Sequence, residues 1–124
     1  MPSRERVRQF VASVEAGRFV EAIEEFYADD ATMQENLDPP RRGKATLLAH
    51  ERAVLAASKT ARAEPDSLWW VEGDRVAIRW VFEFTRPDGR RVRLDEMALQ
   101  LWHGDMIVEE RFYYDPAQMK RAAG

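Results

Sequence analysis

Apolar residues recur at three- and four-residue spacing from the start of the chain. Val7, Phe10, Val11 and Val14 fall on one face, the stripe that a helix buries against a core. Ser3 stands where an N-cap accepts a backbone N–H, and Gly17 where a left-handed residue ends a helix. The spacing predicts a helix over 3–16. A second is predicted over 18–28, with Phe19, Ile23 and Phe26 on one face. Almost no linker separates the two, so they form a tight hairpin. Asp29-Asp30 ends the helical pattern, and residues 31–36 read as extended. The paired prolines and the glycine of DPPRRG, 38–43, break both helix and ladder. A third helix is predicted over 44–58 on Leu47, Leu48, Val54 and Leu55.

Beyond Lys59 the period changes. SLWWVEGDRVAIRWVFEFT is rich in β-branched and aromatic residues and is split by a turn at Glu72-Gly73-Asp74. Arg86-Pro87-Asp88-Gly89 fits a hairpin loop with its glycine in a left-handed position. RVRLDEMALQLW is the next strand, His103-Gly104-Asp105 a turn, and MIVEERFYYD the last strand. PAQMKRAAG reads as a short terminal helix, with Asp115 as its cap. Three helices followed by hairpin-linked strands make an α+β fold, with helices on one side of an antiparallel sheet. A sheet curved around a helix leaves a cone-shaped hollow, a natural small-molecule site.

Composition narrows the functions open to such a fold. The chain has 124 residues, read as one domain over 1–124, long enough to bury a core without metal or disulfide staples. It carries no cysteine, which excludes disulfides, thiolate metal sites and a cysteine nucleophile. Two histidines, His50 and His103, are too few for a His-rich metal centre. A net charge of -3 and the lack of a Lys/Arg cluster argue against nucleic acid. No apolar run has the length of a signal peptide or membrane span, so a cytoplasmic location is expected.

FVASVEAGRFVEAIEEFYADDATM, the Pro-Pro and Gly43 loop, and IVEERFYYD resemble the nuclear transport factor two-like superfamily, in its SnoaL-like, polyketide cyclase-like branch. The resemblance implies a cone: a curved antiparallel sheet around a long helix, an N-terminal helical hairpin and a pocket at the open end. It also implies dimerisation through the outer sheet face, and no cofactor. It does not imply one chemistry, because the superfold hosts enzymes, binding domains and assembly modules.

Ketosteroid isomerase and limonene-epoxide hydrolase look like more distant relatives. The isomerase's general-base aspartate falls on Glu35. Its oxyanion-hole tyrosine falls on Phe10 and its protonated aspartate near Ala98. Neither side chain donates a hydrogen bond, and the loss of one such donor costs about 2.7–4 kcal/mol. The isomerase mechanism therefore does not transfer. Of the hydrolase's set, the arginine matches Arg79. The two aspartates fall on Val81 and Phe112, the tyrosine on Met33 and the asparagine on Glu35, or on Asn36 after a one-residue slide. One match does not make that site. For the cyclase branch's pocket acid, Glu96, Glu110 and Asp115 are available.

Strand alternation then suggests a mixed polar row of Glu35, Arg79, Glu96, Gln100, Glu110 and Tyr114, with Ala98 and Phe112 among them. Glu35, Arg79 and Tyr114 are the candidate catalytic set: a base, an anion or oxyanion partner, and a hydrogen-bond donor. Phe10, Met33, Trp69, Glu96, Ala98, Gln100, Glu110 and Phe112 are the candidate pocket residues, with no metal. For Arg79 the plainer alternative is a cross-strand ion pair with Glu96 or Glu83, and His50 reads as solvated or at the core edge. Trp80, Phe82, Met97, Leu99 and Leu101 form the opposite row, the candidate homodimer face. The expected function is a cofactor-free isomerase, cyclase or lyase acting on a small hydrophobic or weakly polar ligand. The alternative is a non-catalytic ligand-binding or dimerisation module, and a protein-docking role is a third reading.

Overall fold

The computed structural model describes residues 1–120. Two helices open the chain, α1 (Arg4–Glu15) and α2 (Phe19–Phe26), and α3 (Lys44–Ala56) follows the first two strands. The strands are β1 (Tyr27–Glu35), β2 (Arg41–Arg42), β3 (Thr60–Ala63), β4 (Leu68–Glu72), β5 (Arg75–Thr85), β6 (Arg91–His103) and β7 (Met106–Tyr113). A 3-10 turn, Pro116–Met119, ends the described chain. The part of the expected terminal helix beyond residue 120 lies outside the described residues.

The α+β architecture agrees with the sequence pattern, and the cap residues act as expected. Ser3 Oγ accepts the Arg6 N–H at 3.0 Å, and Asp115 Oδ1 accepts the Ala117 N–H at 2.9 Å. Gly89 takes φ 87 in the β5–β6 loop, in the left-handed region where a side chain is strained. Strand β1 is longer than the pattern predicted. It starts at Tyr27, directly after α2, so Asp29 and Asp30 lie within the strand.

The strands form one curved, unclosed sheet in the order β2-β1-β7-β6-β5-β3, with β4 also paired to β5. It is mixed, since β1 and β7 run parallel while every other pairing is antiparallel. Helix α3 and the strands between β1 and β7 supply the long crossover that a parallel pair needs. The concave face holds the core. Phe10 of α1 sits edge-on to Phe26, Tyr27, Trp80 and Trp102, with ring centroids 5.3, 6.0, 6.2 and 6.1 Å away. Among the described residues, no helix is long and apolar enough to cross a membrane.

Candidate functional site

Register decides which side chains meet. Directly opposed residues on neighbouring strands share a face. Trp80 opposes Glu96, Ile78 opposes Ala98, Ala98 opposes Phe112 and Gln100 opposes Glu110. On the parallel side, Met33 lies beside Glu110 and Glu35 beside Phe112. All of these turn to the concave face. There a cavity of about 190 Å³ opens between sheet and helices. It exceeds the roughly 150 Å³ that holds one benzene ring in an apolar core. Phe10, Ile23, Trp80, Phe82, Phe84 and Phe112 give it apolar walls. Glu35, Arg41, His50, Glu51 and Tyr114 supply one group of polar side chains, and Tyr27, Glu96 and Glu110 another.

The first group centres on Glu35, near the end of β1. One of its oxygens is ion-paired to Arg41 Nη1 at 2.8 Å, and the other accepts the Tyr114 hydroxyl at 3.1 Å. Tyr114 is anchored in turn, since its backbone N–H donates to Asn36 Oδ1 at 3.0 Å. Burial, then the charge and hydrogen bond of Glu35, push the Tyr114 phenol well above its usual range, so it remains a donor. Partial burial and the neighbouring Arg41 lower the pKa of His50, which favours the neutral imidazole. Burial raises the Glu51 carboxyl, against the pull of Arg41.

The second group is drier. Glu110 is 3% exposed and accepts on both oxygens, from the Tyr27 hydroxyl in a close contact and from Gln100 Nε2 at 2.6 Å. Gln100 Oε1 is itself held by Trp102 Nε1 at 2.8 Å. Burial lifts Glu110 to about 7, against the two hydrogen bonds, which favour its charged form. Glu96 is different. It is 6% exposed, and among the described residues it has no hydrogen bond and no ion pair. Burial first, then the carboxylates of Glu110, Glu35 and Glu51, push it up to about 8. Its carboxyl is therefore mostly protonated at neutral pH and faces an apolar cavity.

Seven of the residues singled out from the sequence line this cavity: Glu35, Tyr114, Phe10, Met33, Glu96, Glu110 and Phe112. Arg79 does not. It opposes Met97 on the outer face and makes a two-pronged, half-exposed pair with Asp95 at 3.0 and 2.6 Å. Sharing a face with Glu96 would need a one-residue slip between β5 and β6, which would turn every side chain of the strand over. Trp80 and Phe82 are displaced by the same register. They line the cavity and leave the outer face to Met97, Leu99 and Leu101. Ala98 and Gln100 are on the concave side but fully buried beneath the cavity floor, where Gln100 serves Glu110. Trp69 packs against the core beside α1, with the Arg4 guanidinium 4.7 Å above its ring, and does not line the cavity.

The sequence pattern does not point to Arg41, Glu51 or Tyr27, and His50, read as solvated or at the core edge, lines the cavity. Arg41 lies in a two-residue strand inside a proline-rich loop, and His50 and Glu51 sit on a weakly patterned helix. No local period marks any of them as facing a pocket. Among the described residues, no group of three or more His, Asp or Glu side chains is placed to hold a metal ion.

The SnoaL-like domain family matches residues 7–110 of this chain. The chain belongs to that family. A candidate SnoaL-like polyketide cyclase from Mesorhizobium loti is 28% identical, with 89% of this chain and 97% of that one covered and a TM-score of 0.74. A nuclear transport factor two-like protein of unknown function from Burkholderia pseudomallei shares the fold at 19% identity and a TM-score of 0.80, covering 95% and 94%. TerC, co-crystallised with polyporic acid, does so at 18% identity and 0.77, covering 94% and 93%. No curated protein matches the chain. SnoaL-like membership accounts for the cone. The chemistry must be argued from the side chains in the cavity.

Proposed function

We propose that this SnoaL-like protein is a cofactor-independent acid–base enzyme of isomerase or cyclase type, acting on a small, largely apolar carbonyl compound. The observation that carries the reading is Glu96, a buried carboxyl without a partner among the described residues, facing the same apolar cavity as the ion-paired Glu35. Two carboxyls held in unlike environments divide into an acid and a base. Glu35, oriented by Arg41 and Tyr114, takes a proton from a carbon next to the carbonyl, and the C–H electron pair becomes a C=C bond. Glu96 gives its proton to the carbonyl oxygen, and the product is a neutral enol. In a conjugated enol, Glu35 returns its proton to the far carbon while Glu96 takes back the O–H proton, which restores the carbonyl and completes an isomerisation. Attack of the enol carbon on a second carbonyl closes a ring, with the enol O–H proton returning to Glu96 and the Glu35 proton passing to the new alkoxide oxygen. Each positioned acid or base contributes typically 10²–10⁴-fold. The likeness to a candidate polyketide cyclase, and the organic ligand carried by TerC, support a substrate of this kind.

The test is deuterium uptake from D2O at the α-carbon of small cyclic ketones and diketones, followed by NMR. The wild-type protein should catalyse it, and Glu35→Gln and Glu96→Gln should each lower the rate by about 10²–10⁴-fold. Exchange undiminished in both variants would sink the assignment. Binding of the same ketones with no exchange above buffer would give the cavity to the non-catalytic reading.

We further propose a homodimer through the outer sheet face, with membership corrected for the register. Leu68, Trp70, Met97, Leu99 and Tyr113 are large, apolar, exposed and on that one face. Exposed apolar side chains grouped on one sheet face, here around the Arg79–Asp95 pair, are a common interaction surface. Light scattering at micromolar concentration should give the mass of two chains for the wild type and of one chain for Leu99→Glu. A monomeric wild type refutes the dimer.

A further inference from the structure

We propose that Glu110, clamped by Tyr27 and by the Trp102–Gln100 relay, is a positioning residue that keeps the proton of the buried carboxyl pair on Glu96. The inference rests on the acid–base reading above and goes beyond it by naming what holds the acid in its acidic form.

The geometry is directional. Trp102 Nε1–H can only donate, and it donates to Gln100 Oε1 at 2.8 Å. The amide oxygen of Gln100 is thereby taken, so its NH2 group must point the other way, to Glu110 Oε2 at 2.6 Å. The Tyr27 hydroxyl occupies the other oxygen. Each Glu110 oxygen thus faces a donor, an arrangement that satisfies a carboxylate, and a proton added on the Gln100 side would meet an NH2 group that cannot accept it. Glu96 faces the same cavity with no donor among the described residues. Two buried carboxyls that feel each other's charge share their proton unequally, and the one with donors keeps the charge. Here that is Glu110.

The other ionisable groups on the cavity are few. Tyr27 and Glu35 face it from β1, Arg41 from β2, His50 and Glu51 from α3, and Tyr114 from just beyond β7. Glu35 and Glu51 add to the charge that disfavours ionisation of Glu96. Arg41 is engaged with Glu35. Glu51 acts on both carboxyls, and Glu35 adds its charge on the Glu96 side. The Trp102–Gln100–Tyr27 clamp works in the same direction from the other side, because it supplies donors to Glu110 only.

The experiment is a pH titration of protein carrying 13C-carboxyl glutamate, followed by NMR, with the Glu96 signal identified by its loss in Glu96→Gln. In the wild type, Glu96 should ionise after Glu110. In Glu110→Gln the neighbouring charge is gone, and the Glu96 midpoint should fall by at least one pH unit, a tenfold weaker hold on the proton. Tyr27→Phe preserves the ring and removes one donor. It should raise the Glu110 midpoint and lower that of Glu96, and it serves as the readout if Glu110→Gln does not fold. A Glu96 midpoint that stays in place in the folded variants overturns the proposal. The titration needs no substrate, so it can fail while ketone exchange succeeds, or succeed in a protein that exchanges nothing.

Discussion

Glu96→Gln should make the protein more stable at neutral pH while removing the acid proposed above. An unfolded glutamate ionises near 4.5, whereas folded Glu96 holds its proton up to about 8. Between those values the folded state binds a proton that the unfolded state has lost. Stability therefore declines as pH rises through that window, and the Glu96 contribution is greatest below about 4.5. The decline attributable to Glu96 by pH 7 is on the order of 3 kcal/mol. Glutamine has nearly the same shape and no charge to suppress. The variant should melt about 10 °C higher at pH 7 than the wild type, and the two should converge towards pH 4. Glu110, also raised by burial, leaves a residual slope of the same sign. Calorimetry from pH 4 to 8 checks both points. A variant with the wild-type melting temperature and slope across that range would show that the carboxyl is not desolvated as the structure places it. Gained stability with lost ketone exchange is the pattern of a destabilised functional group.

Phe10→Ala should cost about 3–5 kcal/mol in denaturant unfolding, the usual range for removing a buried phenyl ring. Phe10, on α1, is 2% exposed and touches four aromatic rings from α2, β1, β5 and β6. Its ring joins the helical hairpin to the sheet and is at the same time a wall of the cavity. Removing it opens the cavity into the core, so the variant should also bind larger apolar ligands than the wild type does. Phe10→Leu should recover most of the stability. A loss below 1 kcal/mol for Phe10→Ala would mean that the hairpin is held on the sheet by other contacts.

These two residues show how unevenly the site could be read beforehand. Phe10 stands in a 3–4 apolar stripe, and the resemblance to ketosteroid isomerase placed it against a pocket. Glu96 is legible in the sequence as a pocket residue and as one of three candidates for the cyclase branch's acid, beside Glu110 and Asp115. Its distinguishing property, burial without a partner among the described residues, arises from what β7, α3 and β1 place around it. Arg79 illustrates the opposite case. Its single match to the hydrolase set and the assumed alternation both put it in the pocket. The β5–β6 register puts it outside, bonded to Asp95.

The sequence by itself determined the elements and their order. Apolar spacing set the helices, alternating aromatic and β-branched runs set the strands, and Ser3, Asp115 and the turn glycines marked where elements start and stop. These signals act over a few residues, so they are legible in a linear chain. Tertiary structure alone decided which strand face looks inward, that β1 and β7 run side by side in parallel, and that Arg41, His50 and Glu51 reach the cavity. A strand alternates with period two, so one residue of register exchanges its two faces, and register is set by partners far away in the chain. The pairing of Trp80 with Glu96 moves Trp80 from the expected dimer face to a cavity wall, and the walls around Glu96 hold its carboxyl protonated up to about 8.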